Sequence, residues 1–272
     1  SRNSTRWVIS PMSGDPNEAV AVTPGGGRMG TLMGGALDHA VMDAAAGTGD
    51  SGRIVEVPIG PAESAVGGLP AGTTVTLALI PGGALPAQLW EDLAERQPVR
   101  FAFRVEGRLL EEAELLDPGE PGIELSDERL VTSLVPDRRV IISGGGPIAD
   151  ALAGVFTFLG WQPSVIGEPG TAAAVMATLS AIDAVVVMGH DVEAAGRGLE
   201  AAVKSRAGYI GSIGSPRMQE LRREWLSLRG VAWDDRIRGP AGVDIGADTP
   251  EEIALSVAAE AVSNQRAGGP DR

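Results

Sequence analysis

At 272 residues, the chain has room for one large domain or two ordinary ones. Hydrophobic residues make up 43% and charged residues 21%, while aromatics at 4% leave the core to Val, Ile, Leu and Ala. The net charge of −14, from 36 acidic against 22 basic side chains, repels a phosphate backbone and argues against nucleic acid as a partner. The nearest basic stripe, Arg217–Arg223, reads as a solvated helix face. Without cysteine there are no disulfides, thiolate metal sites or cysteine nucleophiles. No apolar run reaches the length of a membrane span, and Ser1–Arg6 lacks the apolar centre of a signal peptide, so a cytoplasmic protein is expected.

The first half reads as β-rich. Trp7–Ser10, Ala19–Thr23, Gly30–Met33, Arg53–Ile59, Thr73–Ile80 and Val99–Val105 are predicted strands, separated by Gly, Pro and Asp turns. Leu37–Ala46 and Pro86–Arg96 are predicted helices. From Glu106 to Arg129 acidic residues, Gly and Pro dominate, which predicts a linker or edge excursion. The expected organisation is a smaller β-rich α+β domain over 1–107, a linker or edge segment over 108–138, a Rossmann-like parallel-sheet domain over 139–264 and a disordered tail over 265–272.

The second half alternates regularly. Strands are predicted at Arg139–Ser143, Ser164–Gly167, Ala184–Met188 and Ala207–Ile213. Helices are predicted at Pro147–Leu159, Thr171–Ser180, Glu193–Ser205 and Pro216–Arg229. Such alternation predicts an α/β fold with a parallel sheet and right-handed crossovers. Thr249-Pro250-Glu251-Glu252 is a capping box with Pro at the first helical position, opening a last helix to about Val262.

Within that frame, Ser143-Gly144-Gly145-Gly146-Pro147-Ile148-Ala149 follows a strand, opens a helix and matches Gly-x-Gly-x-x-Gly/Ala. Gly144 permits the turn, Gly146 lets backbone approach a phosphate, Ala149 allows close helix packing, and Gly145 between them completes the candidate cofactor-binding loop. The helix amides and dipole then favour an anion. Glu168 falls where an acid would hold a ribose hydroxyl. His190 and Asp191 follow the third strand, where open α/β sheets present ligand-binding groups. Tyr209, Gly211, Gly214 and Ser215 belong to a second strand-to-helix glycine loop, and Gly242 and Asp244 to a third glycine-rich turn, Gly239–Gly246. A nicotinamide-dependent oxidoreductase fits Gly144, Gly146, Ala149 and Glu168 as well, with NAD(P) as cofactor. It lacks a Tyr-x-x-x-Lys pair, since the single lysine, Lys204, lies on a charged helix.

Taken in order, the glycine loop, His190-Asp191, Tyr209–Ser215, Arg236–Ala247 and Thr249–Ala254 resemble the xanthine dehydrogenase accessory (XdhC/CoxI) family. In the first half, Gly30–Asp38 resembles the family's Gly-x-x-Ser-Gly-Gly-x-x-Glu loop, which adds Gly34 and Gly35 to the candidate cofactor-binding residues. Met33 stands there in place of Ser and Asp38 in place of Glu. Gly68–Gly72 resembles the family's Gly-Leu-x-Cys-Gly turn, with Ala71 in place of the cysteine. The resemblance implies a cofactor-binding chaperone rather than an enzyme. It would bind molybdenum cofactor, as molybdopterin or molybdopterin cytosine dinucleotide, and deliver it to an apo-dehydrogenase of the xanthine or carbon monoxide dehydrogenase type. By the same resemblance, that molybdenum hydroxylase apoenzyme and a cysteine desulfurase are the expected partners, and a homodimer the expected assembly. A degenerate member acting only through protein partners is the further alternative, because Met33 and Ala71 depart from the family pattern.

Overall fold

The computed structural model describes residues 5–12, 18–23, 25–46, 51–67 and 69–267. The chain divides into two compact units, Ser1–Pro136 and Asp137–Arg272, equal in length. Among the described residues, no helix is long and apolar enough to cross a membrane.

The amino-terminal unit is an antiparallel sheet of β1 (Arg6–Ile9), β2 (Ala19–Val22), β3 (Arg28–Gly30), β4 (Gly52–Pro58), β5 (Thr74–Pro81), β6 (Val99–Glu106), β7 (Leu109–Leu116), β8 (Gly122–Leu125) and β9 (Arg129–Leu134). Their order across the sheet is β3-β2-β1-β5-β4-β7-β6-β9-β8. Helices α1 (Asp38–Ala46), α2 (Pro61–Gly67) and α3 (Ala87–Ala94) complete it. The period-2 alternation of β5 splits the core in two: Leu77 and Leu79 join Val8, Val20 and Val41 of α1, while Ala78 and Ile80 join Phe101, Phe103 and Leu89 of α3. Sheet faces covered on both sides explain why β5 is a near-continuous apolar run.

Residues 108–138 are part of the sheet rather than a linker, with β8 at its edge. They supply β7, β8 and β9, and β9 pairs with β6 from Val99↔Leu134 to Arg104↔Arg129. The acidic residues that suggested a loop lie on the exposed face of β7, paired with arginines of β6 and β9: Glu111 and Glu112 with Arg104, and Glu114 with Arg129. A register shift between Ala102 and Arg104, opposite a left-handed Glu112 (φ 50°), breaks the alternation that would have marked β7 as a strand. Two other differences are local. β3 ends at Gly30, and Met33–Gly35 forms a 3-10 turn where a strand was predicted; α2 carried no recognised signal.

The carboxy-terminal unit comprises β10 (Arg139–Ser143), α4 (Pro147–Phe158), β11 (Gln162–Ile166), α5 (Pro169–Met176), β12 (Ala184–Val187), α6 (Val192–Lys204), β13 (Tyr209–Ser212), α7 (Pro216–Leu228), β14 (Ile237–Arg238) and α8 (Pro250–Ala267). The sheet is parallel, in the order β11-β10-β12-β13-β14. Val140, Ile142 and Val186 pack with α4 and α8 on one face; Ile141, Val185 and Ile210 pack with α5 and α6 on the other. The apolar strands are thus buried from both sides, as the run Ala184–Met188 requires. β14 is two residues long and was not foreseen. α8 continues to Ala267, past the predicted end at Val262 and into the expected tail, whose residues 268–272 lie outside the described residues.

The chain leaves β10 toward β11 on one side and returns to β12 on the other. The loops after β10 and β12 therefore diverge, which makes a crevice at the carboxyl ends of these strands, where open α/β sheets bind ligands.

Candidate functional site

The loop after β10 is built around three glycines with different jobs. Gly144 has φ 140°, and its amide donates to the Ile166 carbonyl at 3.1 Å. A Cβ there would lie 2.4 Å from Met188 Cγ and 3.2 Å from the Met188 carbonyl, so this position lets β10's loop touch the end of β12. Gly146 has φ 96° and is the N-cap of α4. A Cβ on Gly145 or on Gly146 would meet nothing within 4 Å. Both are exposed, so the peptide groups of this turn face open space.

No side chain caps α4, and Pro147 at its first position has no amide to satisfy. The other four helices of the unit are capped: α5 by Glu168, α6 by Asp191, α7 by Ser215 and α8 by Thr249. α4 thus presents the uncapped amides and positive dipole end of a twelve-residue helix at the mouth of the crevice. Ala149, one turn in, is fully buried in the cluster that holds Val140, Ile142 and Val186, which lets the helix lie close to the sheet.

Several predicted ligand groups have other work. Glu168 does not stand free for a ribose. Its Oε1 accepts from the Gly170 amide at 2.8 Å, and its Oε2 accepts from the Thr171 amide and the Thr171 hydroxyl at 2.5 and 2.7 Å. Those bonds, the hydroxyl first, hold its carboxyl below the usual range. Asp191 accepts from the Glu193 and Ala194 amides at 2.8 and 3.2 Å as the cap of α6. His190 stays exposed on the loop between β12 and α6. Ser215 accepts from the Met218 amide at 3.4 Å.

Tyr209 is a correction. Its side chain is fully buried, and its hydroxyl donates to Glu260 Oε2 at 2.7 Å. Burial first and the Glu260 charge second push its ionisation far up, so it is a neutral donor to α8, not a pterin contact. Glu260 also accepts from the Gly242 amide at 2.9 Å, which fastens the Gly239–Gly246 turn to the helix. Gly242 (φ 109°) is required there, because a Cβ would lie 2.3 Å from Ser256 Oγ. Gly211 is likewise a packing glycine, 2.9 Å from the Tyr209 hydroxyl when a Cβ is built. Asp244 is exposed and accepts from the Gly246 amide at 3.3 Å. Gly34 (φ 64°) and Gly35 (φ 90°) form the 3-10 turn of the amino-terminal unit, Gly35 against the Asp38 carboxylate. In the Gly68–Gly72 turn, Gly68 lies outside the described residues.

The structure therefore aligns Gly144–Gly146, Gly189–His190 and Gly214–Ser215 along the carboxyl ends of three neighbouring strands, β10, β12 and β13. It adds one residue that the sequence reading placed on a solvated face. Arg222 is fully buried, and it donates to the Gly189 carbonyl (2.7 Å), the Ile213 carbonyl (2.7 Å) and Ser212 Oγ (2.8 Å). The signal was its spacing: Gln219, Arg222 and Leu226 are the buried stripe of α7.

A doubly wound parallel sheet with an uncapped glycine turn at its switch point defines a Rossmann-type α/β unit. Residues 140–261 match the family described as the XdhC Rossmann domain. A stretch of 75 residues is 37% identical to the uncharacterized protein YqeB of Escherichia coli (strain K12), covering 26% of this chain and 14% of that protein. A solved structure of a xanthine dehydrogenase from Bacillus halodurans is similar over 98% of this chain and 93% of its own, with TM-score 0.50 and 17% identity, a likeness of fold.

Proposed function

We propose that this protein is an accessory factor that binds molybdenum cofactor in the crevice of its carboxy-terminal unit and hands it to a xanthine dehydrogenase- or carbon monoxide dehydrogenase-type apoenzyme. The observation that carries this reading is the α4 N-terminus: among the described residues of the unit, the one helix without a side-chain cap opens at the switch point beneath two exposed glycines. The anionic part of the cofactor, a phosphate on molybdopterin or the diphosphate of its cytosine dinucleotide, suits the amides of Gly145, Gly146, Ile148 and Ala149. His190 and the carbonyl-rich strand tips are what remain to hydrogen-bond the pterin, since Tyr209, Asp191 and Glu168 are otherwise engaged. The bound group itself supplies molybdenum–dithiolene chemistry; this chain's residues bind, orient and shield it. The match of residues 140–261 to the XdhC Rossmann domain supports the accessory role and a dehydrogenase of that type as recipient. The acidic surface suits docking to a protein more than to a polyanion. A cysteine desulfurase as second partner and a homodimer belong to the same proposal.

The nicotinamide alternative loses its ribose acid, because both Glu168 oxygens are occupied by the α5 cap. Purification from a molybdenum-replete host tests the choice. The protein should carry a pterin that becomes fluorescent on oxidation, and should restore activity to a cofactor-free dehydrogenase. Tight NAD or NADP binding without pterin overturns it.

A further inference from the structure

Arg222 is the largest fully buried side chain among the described residues. Its three acceptors, the Gly189 and Ile213 carbonyls and Ser212 Oγ, are all neutral, and Nε is buried without a partner. Other buried ions in the unit are matched: Asp183 by Arg139, and the half-buried Arg236 by Asp234. For Arg222 no carboxylate pairs with it among the described residues, and burial lowers its proton affinity with no charge opposing that effect. An unopposed buried ion is costly, and an apolar side chain of similar size would fill the same space more cheaply. The charge also has a specific address. Arg222 ties together the loops after β12 and β13, and a Cβ built on Gly214 would lie 3.4 Å from its Nη1. Buried Gln219 reinforces the arrangement, donating to the Ser212 and Gly214 carbonyls at 3.0 Å each.

We infer that Arg222 supplies the positive charge of a second anion subsite, over Gly189 and Gly214, so that the ligand carries two linked anionic groups: one at the α4 N-terminus and one at this rim. This rests on the crevice reading above and deepens it, since a diphosphate-linked nucleotide form of the ligand has such a pair and a monophosphate does not. Arg222 acts as a positioning residue. It sits beneath the backbone, fixes the two loops and projects a charge that low-dielectric surroundings screen weakly.

Calorimetric titration of the full chain with inorganic phosphate and with pyrophosphate tests this. Pyrophosphate should bind the wild-type protein more tightly than phosphate, and Arg222→Gln should cut that preference about tenfold, the scale of one charge-assisted contact. Arg222→Lys, which keeps the charge, should retain most of it. Should Arg222→Gln not fold, Ser215→Asp reads the same field: it keeps a capping side chain on α7 and sets a negative charge at the rim, so the preference should fall again. A preference unchanged in a folded Arg222→Gln or Ser215→Asp protein overturns the subsite while leaving the α4 site standing. A wild-type protein that binds neither anion overturns both.

Discussion

Gly144 and Met188 meet so closely that a methyl group on the glycine would lie 2.4 Å from Met188 Cγ. This close approach holds the loop after β10 against the end of β12. Gly144→Ala should therefore destabilise the unit by about 2–3 kcal/mol, from overpacking together with an unfavourable φ. Denaturant unfolding followed by hydrogen exchange in the carboxy-terminal unit measures it. A loss under half that range would mean Met188 swings aside.

Tyr209 separates a structural from a ligand-binding role. Tyr209→Phe removes the donor to Glu260, and stability should fall by about 1–3 kcal/mol. Pterin retention should not change, because the ring is sealed from the crevice. Retention lost in a stably folded Tyr209→Phe protein would return Tyr209 to the site.

Acid should weaken the same unit. The carboxyls of Glu168, Asp234 and Glu252 all lie below their ordinary values: Glu168 chiefly through the Thr171 hydroxyl, Asp234 through the Arg236 side chain, Glu252 through the Asp248 amide. A carboxyl depressed in the folded state stabilises it fully above the ordinary, unfolded value and loses that contribution as pH falls through the folded value. Tm should be flat near neutrality and fall once pH drops below about 4. Asp234→Asn should lower Tm at pH 7 and make the acid limb shallower. An acid limb of unchanged slope would show that the Asp234–Arg236 pair is no part of it.

Much of this was legible in the chain, for reasons visible in particular residues. Pro147 after three glycines, and Thr249-Pro250-Glu251-Glu252, are local signals whose meaning does not depend on distant partners; Glu252 duly accepts from the Asp248 and Thr249 amides. Strands β10 and β12, buried on both faces, announced themselves as apolar runs. What sequence could not show was where polar side chains find partners. Glu168 and Asp191, expected at the ligand, turn out to be helix caps. Tyr209 meets Glu260 from 51 residues away. β7 hid its period because the register shift opposite Glu112 breaks the alternation, and the arginines that pair its glutamates lie on other strands. Arg222 was lost in a run of charges whose buried stripe shows only when α7 is set against the sheet.

The most direct test is pterin retention in Gly145→Val, compared with wild type, after purification from a molybdenum-replete host. Gly145 is the position of choice because it lies outside the left-handed region and has open space around it, whereas Gly144 and Gly146 have φ 140° and 96°. The account predicts a folded protein of near wild-type Tm that has lost most of its pterin, since the new side chain occupies the space over the α4 amides. A Gly145→Val protein that is equally stable and carries the wild-type pterin load would contradict it.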